Sequence, residues 1–227
     1  MEELLAEFVG VLLGDGSIGI YGCRARGRLK KHYRVKITLN SEDDKDYADY
    51  LVDLIRRVFA INPIIRKRPG ERALDIFIFN RSVVRRLLRM GLKRAPKWNR
   101  ASVPKKFLVH RLASHVLRGY LDTDGCITIA NNNGIRYPRI EMKISPYQMQ
   151  GQLVSALKSL GFEPRVYAIG RGKVRVVLPG MKNLEKWHRN IGFSNKKNSM
   201  RAESFMSRRK IAGGGLPTQT RIAGSNF

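Results

Sequence analysis

Acidic residues are scarce in this sequence: 18 Asp and Glu stand against 44 Lys and Arg in 227 residues, a formal charge of +26. Cysteine is scarcer still. The two present, Cys23 and Cys126, allow one disulfide at most and match no metal-ligand spacing, so both are expected to be reduced packing residues and zinc is not expected. No stretch approaches the roughly 18–20 apolar residues of a membrane span, and Met1-Glu2-Glu3 lacks the basic start of a secretory signal. The expectation is a soluble, intracellular, cytoplasmic protein with no membrane partner. A hydrophobic content of 43% excludes wholesale disorder and suffices for one large domain or two small ones.

Charge of one sign at this density repels itself, and its usual counterpart is a polyanion, because neutralising phosphates releases condensed counterions. Nucleic acid is therefore the expected partner. A generally basic solvated surface is the plain alternative. No segment reads as a basic helix with an aromatic apolar face of the kind that lies on membranes.

The chain is also written twice. One half opens with an apolar run into Gly14-Asp15-Gly16, the other with His115 to Leu121 into Asp122-Thr123-Asp124-Gly125. Each continues with two alternating segments and a helix ending before Pro63 or Pro164. Two short strands follow, then a helix closing on Met90-Gly91-Leu92 or Ile191-Gly192-Phe193. The order helix, two strands, helix, two strands, helix is thus stated once per half, an αββαββα unit in a pseudo-twofold α+β protein. The expected divisions are 1–95, a linker 96–109, 110–200 and a basic tail 201–227. Ser41 with Asp44 resembles a capping box, and Ser145-Pro146 resembles an N-cap followed by proline, each opening a middle helix.

Alternation separates two faces. Val35, Ile37 and Leu39 lie behind Arg34, Lys36 and Thr38; Ile140, Met142 and Ile144 lie behind Arg139, Glu141 and Lys143; Val174 and Val176 back Lys173 and Arg175. Arg24, Arg26, Arg28, Lys30, Lys31, Arg34 and Lys36 form a hairpin of one sign, which suits phosphate contact and insertion in a major groove, where Arg and Lys reach guanine and Asn reaches adenine. Asn131, Asn132, Asn133, Arg136 and Arg139 are the second half's candidates. Arg66 and Arg68 extend the set in the first half, and Glu141, Lys143, Arg165, Tyr167, Arg171, Lys173 and Arg175 extend it in the second. The linker, with Pro96 and Pro104, reads as joining the halves along a nucleic-acid backbone.

Gly10 and Gly119 precede Asp15 and Asp124 by five residues, and small residues at helical spacing let two helices pack closely, placing the two aspartates side by side. Gly16 and Gly125 suit a left-handed residue after a helix. Paired carboxylates in a basic protein call for a neutralising ion. Mg2+ takes one or two carboxylates with waters and phosphate oxygens, and such ions stabilise phosphodiester hydrolysis. The alternative for either Asp alone is a cap on a turn.

Residues 8–16 and 117–125, with the repeated elements after them, resemble the paired signatures of the monomeric LAGLIDADG homing endonucleases over roughly residues 4–200. The resemblance implies two antiparallel sheets in a saddle over a long duplex site, with the signature helices at its centre. It also implies Mg2+-dependent cleavage across the minor groove leaving short 3′ overhangs, Mn2+ substituting and Ca2+ binding without cleavage. It assigns Asp15 and Asp124 as catalytic metal ligands, with Gly14 and Thr123 beside them, and Lys97 and Lys197 as assisting lysines rivalled by Lys93 and Lys196. Leu13 departs from the signature where Asp122 keeps it, and that position is not usually a ligand. Arg118 and Tyr120 depart too and make the helix contact asymmetric. Two other readings remain open: an intron maturase that binds its own intron RNA with the same fold, and a regulator that has lost cleavage, against which retention of both aspartates speaks.

Overall fold

The structure, a computed structural model, describes residues 1–25, 28–145 and 148–212. The first unit runs α1 (Glu2–Leu13), β1 (Gly16–Ala25), β2 (Arg28–Asn40), α2 (Lys45–Phe59), β3 (Ile64–Lys67), β4 (Ala73–Ile78), α3 (Arg81–Arg89). The second repeats it as α4 (His110–Asp124), β5 (Gly125–Asn132), β6 (Ile135–Ile144), α5 (Gln148–Ser159), β7 (Arg165–Ala168), β8 (Val174–Pro179), α6 (Met181–Asn190), and α7 (Lys196–Ala212) follows. The αββαββα order is as the repeat implies.

Each unit makes one antiparallel sheet, ordered β1-β2-β4-β3 and β5-β6-β8-β7. The registers superimpose. Ile37 pairs with Gly16 and Ile76 as Met142 pairs with Gly125 and Val176, which makes Arg34 and Arg139 equivalent positions. Val35, Ile37, Leu39, Ile140, Met142 and Ile144 are buried, as the alternation implies, and the helices cover that face. Burying each such side chain contributes roughly 1.5–3 kcal/mol. The opposite sheet face is left open.

At the centre, α1 packs on α4. α1 is apolar almost all round from Leu4 to Leu13, the mark of a helix buried on most sides, whereas α4 is amphipathic, burying Leu112, Ala113, Val116, Leu117, Gly119, Tyr120 and Leu121 and leaving His110 and Arg111 exposed. Gly10 and Gly119 set the distance: a Cβ on Gly10 would lie 2.2 Å from the Val116 carbonyl oxygen, and one on Gly119 would lie 2.2 Å from that of Glu7. The reciprocal contact is the pseudo-twofold axis.

Several local expectations are corrected. Gly16 and Gly125 are not left-handed caps; each begins a strand, and a Cβ would collide with Leu12 or Leu121 in the turn before it. Asn40, not Ser41, caps the turn before α2, its Oδ1 accepting from the amides of Glu42 (2.9 Å) and Asp43 (3.1 Å) while Asp44 accepts from the Asn40 amide. Ser41 Oγ is buried without a partner among the described residues. Cys23 is exposed on the hairpin rather than packed, its Sγ 2.9 Å from His32 Nε2, and both cysteines are free. The division at 200/201 falls inside α7, whose Ala202 is buried and whose Phe205 and Met206 pack on the core. Arg26, Pro146 and the tail from residue 213 lie outside the described residues.

Candidate active site and nucleic-acid interface

The helix pair delivers its two signature carboxylates to one place. Asp15 follows the end of α1 and Asp124 ends α4, and Gly14 packs so closely that a Cβ there would lie 2.1 Å from Thr123 Oγ1. Asp15 is half-buried. Its pKa is pushed up to about 6, by burial first and by the Asp124 carboxylate second, with Lys97 pulling the other way. Asp124 opens to solvent at its tip, yet its surroundings are crowded enough that desolvation raises its pKa too, against Lys97, Lys173 and Lys143. Neither carboxylate accepts a hydrogen bond or ion pair from a described residue. Among the described residues no group of three or more His, Cys, Asp or Glu is placed to hold a metal ion by itself, and the donors the helix ends present here are the two carboxylates. That set fits Mg2+ or a similar ion completing its shell with water and phosphate oxygens.

The two lysines are not equivalent. Lys97, carried in by the linker, donates to the carbonyls of Leu12 and Leu13 (both 2.7 Å) and of Gly14, which closes the negative end of α1. Burial lowers its pKa to about 8, opposed by Asp124 and Asp15. Lys197 instead pairs with Asp44 Oδ1 at 2.6 Å, which Asn195 also reaches. That contact ties α7 to the start of α2, while the Lys197 charge still acts on Asp15, more weakly than Lys97 does. Lys196 pairs with Asp46, and Lys93 is exposed. Gly14 and Thr123 are not free ligands either: the Gly14 carbonyl holds Lys97, and the Thr123 hydroxyl turns back to the carbonyls of Gly119 and Tyr120.

Beneath the carboxylates runs a buried polar network that the sequence pattern does not announce. Glu7, fully buried, accepts from Arg118, from Tyr50 Oη at 2.8 Å and from Ser194 Oγ at 2.6 Å. Arg118, which departs from the signature, is thus an ion-pair partner across the helix interface. Tyr120 donates to the Lys143 carbonyl at 2.7 Å. Asp122 is no ligand: buried, it accepts from the amides of Ser194 and Asn195 and from Asn198 Nδ2, and burial pushes its pKa up to about 7. It anchors the start of α7. Sequence offered one signal for this, the retained acid at 122 against Leu13.

The open faces carry much of the basic set, with a division that a simple tally of cations hides. Register places Arg28, Lys30, Arg34 and Lys36 on the open face of the β1–β2 ribbon, but Arg24 and Lys31 on the other. Arg34 donates to Tyr21 Oη at 2.8 Å, and its guanidinium also lies 5.7 Å from the Phe77 ring centre. Arg66 lies beside Phe77, whereas Arg68 is claimed by Asp75 through two hydrogen bonds of 2.9 Å and is not a free cation. In the second unit Asn132, Arg139, Glu141, Lys143, Arg165, Tyr167 and Arg175 share the open face, and Asn131 and Arg136 take the other. Arg139 donates to Tyr137 Oη at 2.9 Å; Glu141 lies 3.7 Å from both Arg139 and Arg175. Asn133 and Gly134 both have positive φ and form the hairpin turn, so Asn133 serves the backbone, a use the Asn-Gly pair itself signals. Arg171 sits in the β7–β8 turn, and Lys173 covers the Trp98 ring at 4.7 Å. The linker does more than join the halves: it is pinned to β1 by Ala95, to α5 through Gln152, and places Lys97 and Trp98 at the centre.

Residues 112–192 match the family model of the LAGLIDADG-like domain. A DNA polymerase of Thermococcus kodakarensis is 24% identical over 91% of this chain, and a replication factor C small subunit of Methanocaldococcus jannaschii is 26% identical over 86%. The chain spans only 12% and 10% of those proteins' lengths. Among solved structures, the I-LtrWI LAGLIDADG homing endonuclease bound to target DNA superimposes with a TM-score of 0.63 at 14% identity, covering 92% of this chain and 91% of that one. I-DmoI in complex with DNA and Mn gives 0.58 at 16%, covering 86% and 98%. The second unit thus carries a LAGLIDADG-like domain at 112–192, the first unit is its structural double, and the whole chain has the two-unit fold of the LAGLIDADG homing endonucleases on which it superimposes.

Proposed function

We propose that the protein is a site-specific endonuclease that binds one long duplex along its two open sheet faces and cuts both strands at the centre. The observation that carries this is the meeting of Asp15 and Asp124 at paired helix ends, both pushed up and neither partnered by a described residue, between two basic surfaces. A helix cap would not need two carboxylates brought together. Mg2+ bound by the pair would supply Lewis-acid stabilisation of the attacking and leaving oxygens. The chain's own groups do the rest. Arg28, Lys30, Arg34, Lys143 and Arg175 hold the phosphates and base edges and fix the register of the scissile bonds. Lys97, immobilised among three carbonyls, holds positive charge against both carboxylates and offsets their repulsion of the phosphate. Related structures solved with target DNA and with Mn support the same reading for this chain.

The test is a randomised duplex pool incubated with and without Mg2+. Wild type should release double-strand breaks only with metal. Asp15→Asn and Asp124→Asn keep size and capping oxygen, so each should fold, still bind duplex and lose double-strand cleavage. Cleavage of both strands by either variant at near wild-type rate ends the two-carboxylate reading.

A further inference from the structure

A second concentration of charge lies on the first unit, away from its open sheet face. Residues 76–121 contain twelve Lys and Arg and no Asp or Glu. Within α3, Val83, Val84 and Leu87 are buried toward the sheet, while Arg81, Arg85, Arg86 and Arg89 are exposed. Beyond its end, Arg89, Lys93, Lys105 and Lys106 line a groove of about 600 Å³ between α3, the linker and the start of α5. None of Arg85, Arg86, Arg89, Lys93, Lys105 and Lys106 pairs with a carboxylate among the described residues. On the neighbouring helix and strands, by contrast, Arg56 is compensated by Asp53 and Arg68 by Asp75.

The repeat supplies an internal control. α6 occupies the place of α3 in the second unit and buries Leu184 and Trp187 in the same way, but mixes Glu185 with Lys182, Lys186 and Arg189. The fold therefore does not require an acid-free helix there. Like charges within a Debye length of about 8 Å repel one another; on α3 no carboxylate offsets that, and of its arginines only Arg81 and Arg86 lie over aromatic rings, those of Tyr33 and Phe59. A helix layer roughly 10 Å across separates this surface from the open sheet face, so one straight duplex cannot fill both.

We propose that this helix-side surface is a second, sequence-independent binding site for a nucleic-acid backbone, filled while the open sheet faces hold duplex DNA. It rests on the preceding reading only in being second. The test titrates the full chain with a 16-base-pair duplex of arbitrary sequence, and separately with an RNA hairpin of similar length, and reads stoichiometry by sedimentation. Wild type should take two nucleic-acid molecules per chain. Neutralising four exposed cations (Arg85→Gln, Arg89→Gln, Lys105→Gln, Lys106→Gln) should leave one, whereas Lys182→Gln with Arg189→Gln should leave two. The second equivalent should weaken roughly 100-fold between 50 and 200 mM salt, as expected for about four phosphates. Tighter uptake of the hairpin than of the duplex in that equivalent identifies RNA as the source, and the reverse identifies DNA. One equivalent in wild type for both probes, or two persisting in the four-site variant, overturns the proposal. Weakening of the other equivalent belongs to Arg34→Ala with Lys143→Ala, so failure of the open-face reading shows in a different variant.

Discussion

Without a cation between them, Asp15 and Asp124 are carboxylates held at a disadvantage. Asp15 has a folded pKa of about 6 against 3.8 in an exposed chain, so the folded state holds its proton more tightly. A raised pKa contributes stability that is full below pH 3.8 and is lost as pH rises through about 6. In metal-free buffer, Asp15→Asn should therefore melt several degrees higher than wild type at pH 7.5, and the gap should close below about pH 4. Adding Mg2+ should raise wild type and leave the variant nearly unmoved. Melting curves across pH that run parallel for the two proteins would sink this. A second residue-scale outcome separates the lysines. Lys97→Met removes the donor shared by three carbonyls beside both aspartates, and should cost cleavage roughly 100-fold. Lys197→Met unties Asp44 and removes only the weaker of the two lysine charges acting on Asp15, and should cost less than about 10-fold while lowering the melting temperature. Equal loss in single-turnover assays would contradict the distinction. Spacing makes the two lysines look alike, since each follows a closing glycine by five or six residues; their partners, contributed by α1 in one case and α2 in the other, are set by tertiary packing that spacing does not encode.

Close approach is the property on which the central helix pair depends, and glycines measure it. Gly10→Ala and Gly119→Ala would each drive a methyl to 2.2 Å from a backbone oxygen that cannot move alone, so the helices must separate and the carboxylates with them. Overpacking of this kind costs about 1–3 kcal/mol or more, and both variants should melt several degrees lower and lose cleavage. Gly151, in the exposed part of α5 with nothing within 4 Å of an added Cβ, is the contrasting case. Gly151→Ala should stabilise by about 0.5–1 kcal/mol through helix propensity and unfolded-chain entropy, with cleavage unchanged. Calorimetry on the three variants checks both signs. The same elements show where sequence is legible. Gly10, Gly119, the alternation of Val35, Ile37 and Leu39, and the doubled order of elements are short-range patterns and translate directly. The ribbon does not: Arg24 and Lys31 read as part of one basic surface when charge is counted without register, and the one-residue offset that turns them away follows from strand pairing. Asn40 yields its cap to Ser41 in a sequence reading for the same reason, since an Asx turn and a capping box draw on the same residue types.

At the scale of the molecule, the pseudo-twofold axis decides how many chains act. In a one-motif protein, the partner subunit would supply the second helix, the second sheet and the second carboxylate. Here α4, the β5–β8 sheet and Asp124 supply them, and Glu7 with Arg118 ties the halves by a buried ion pair that a separable dimer would have to desolvate at each association. The chain should therefore sediment as one copy at assay concentrations and bind as one. A compact protein of this length has a radius of gyration near ~17 Å, and two sheets side by side span ~50–65 Å, which is roughly 15–20 base pairs of B-form duplex. The two open faces should then protect a continuous footprint of that length, divided equally about the cleavage point. Arg34→Ala in one sheet and Lys143→Ala in the other test the division. If the removed side chain holds a phosphate, the salt slope should shrink by about one ion and all sequences should bind more weakly alike; if it reads a base, specificity should relax at one position in the half-site served by that sheet. Both substitutions point away from the core and should leave the melting temperature in place. An obligate dimer, a footprint under ten base pairs, or effects of both variants in the same half-site would each show that the two units do not straddle one duplex.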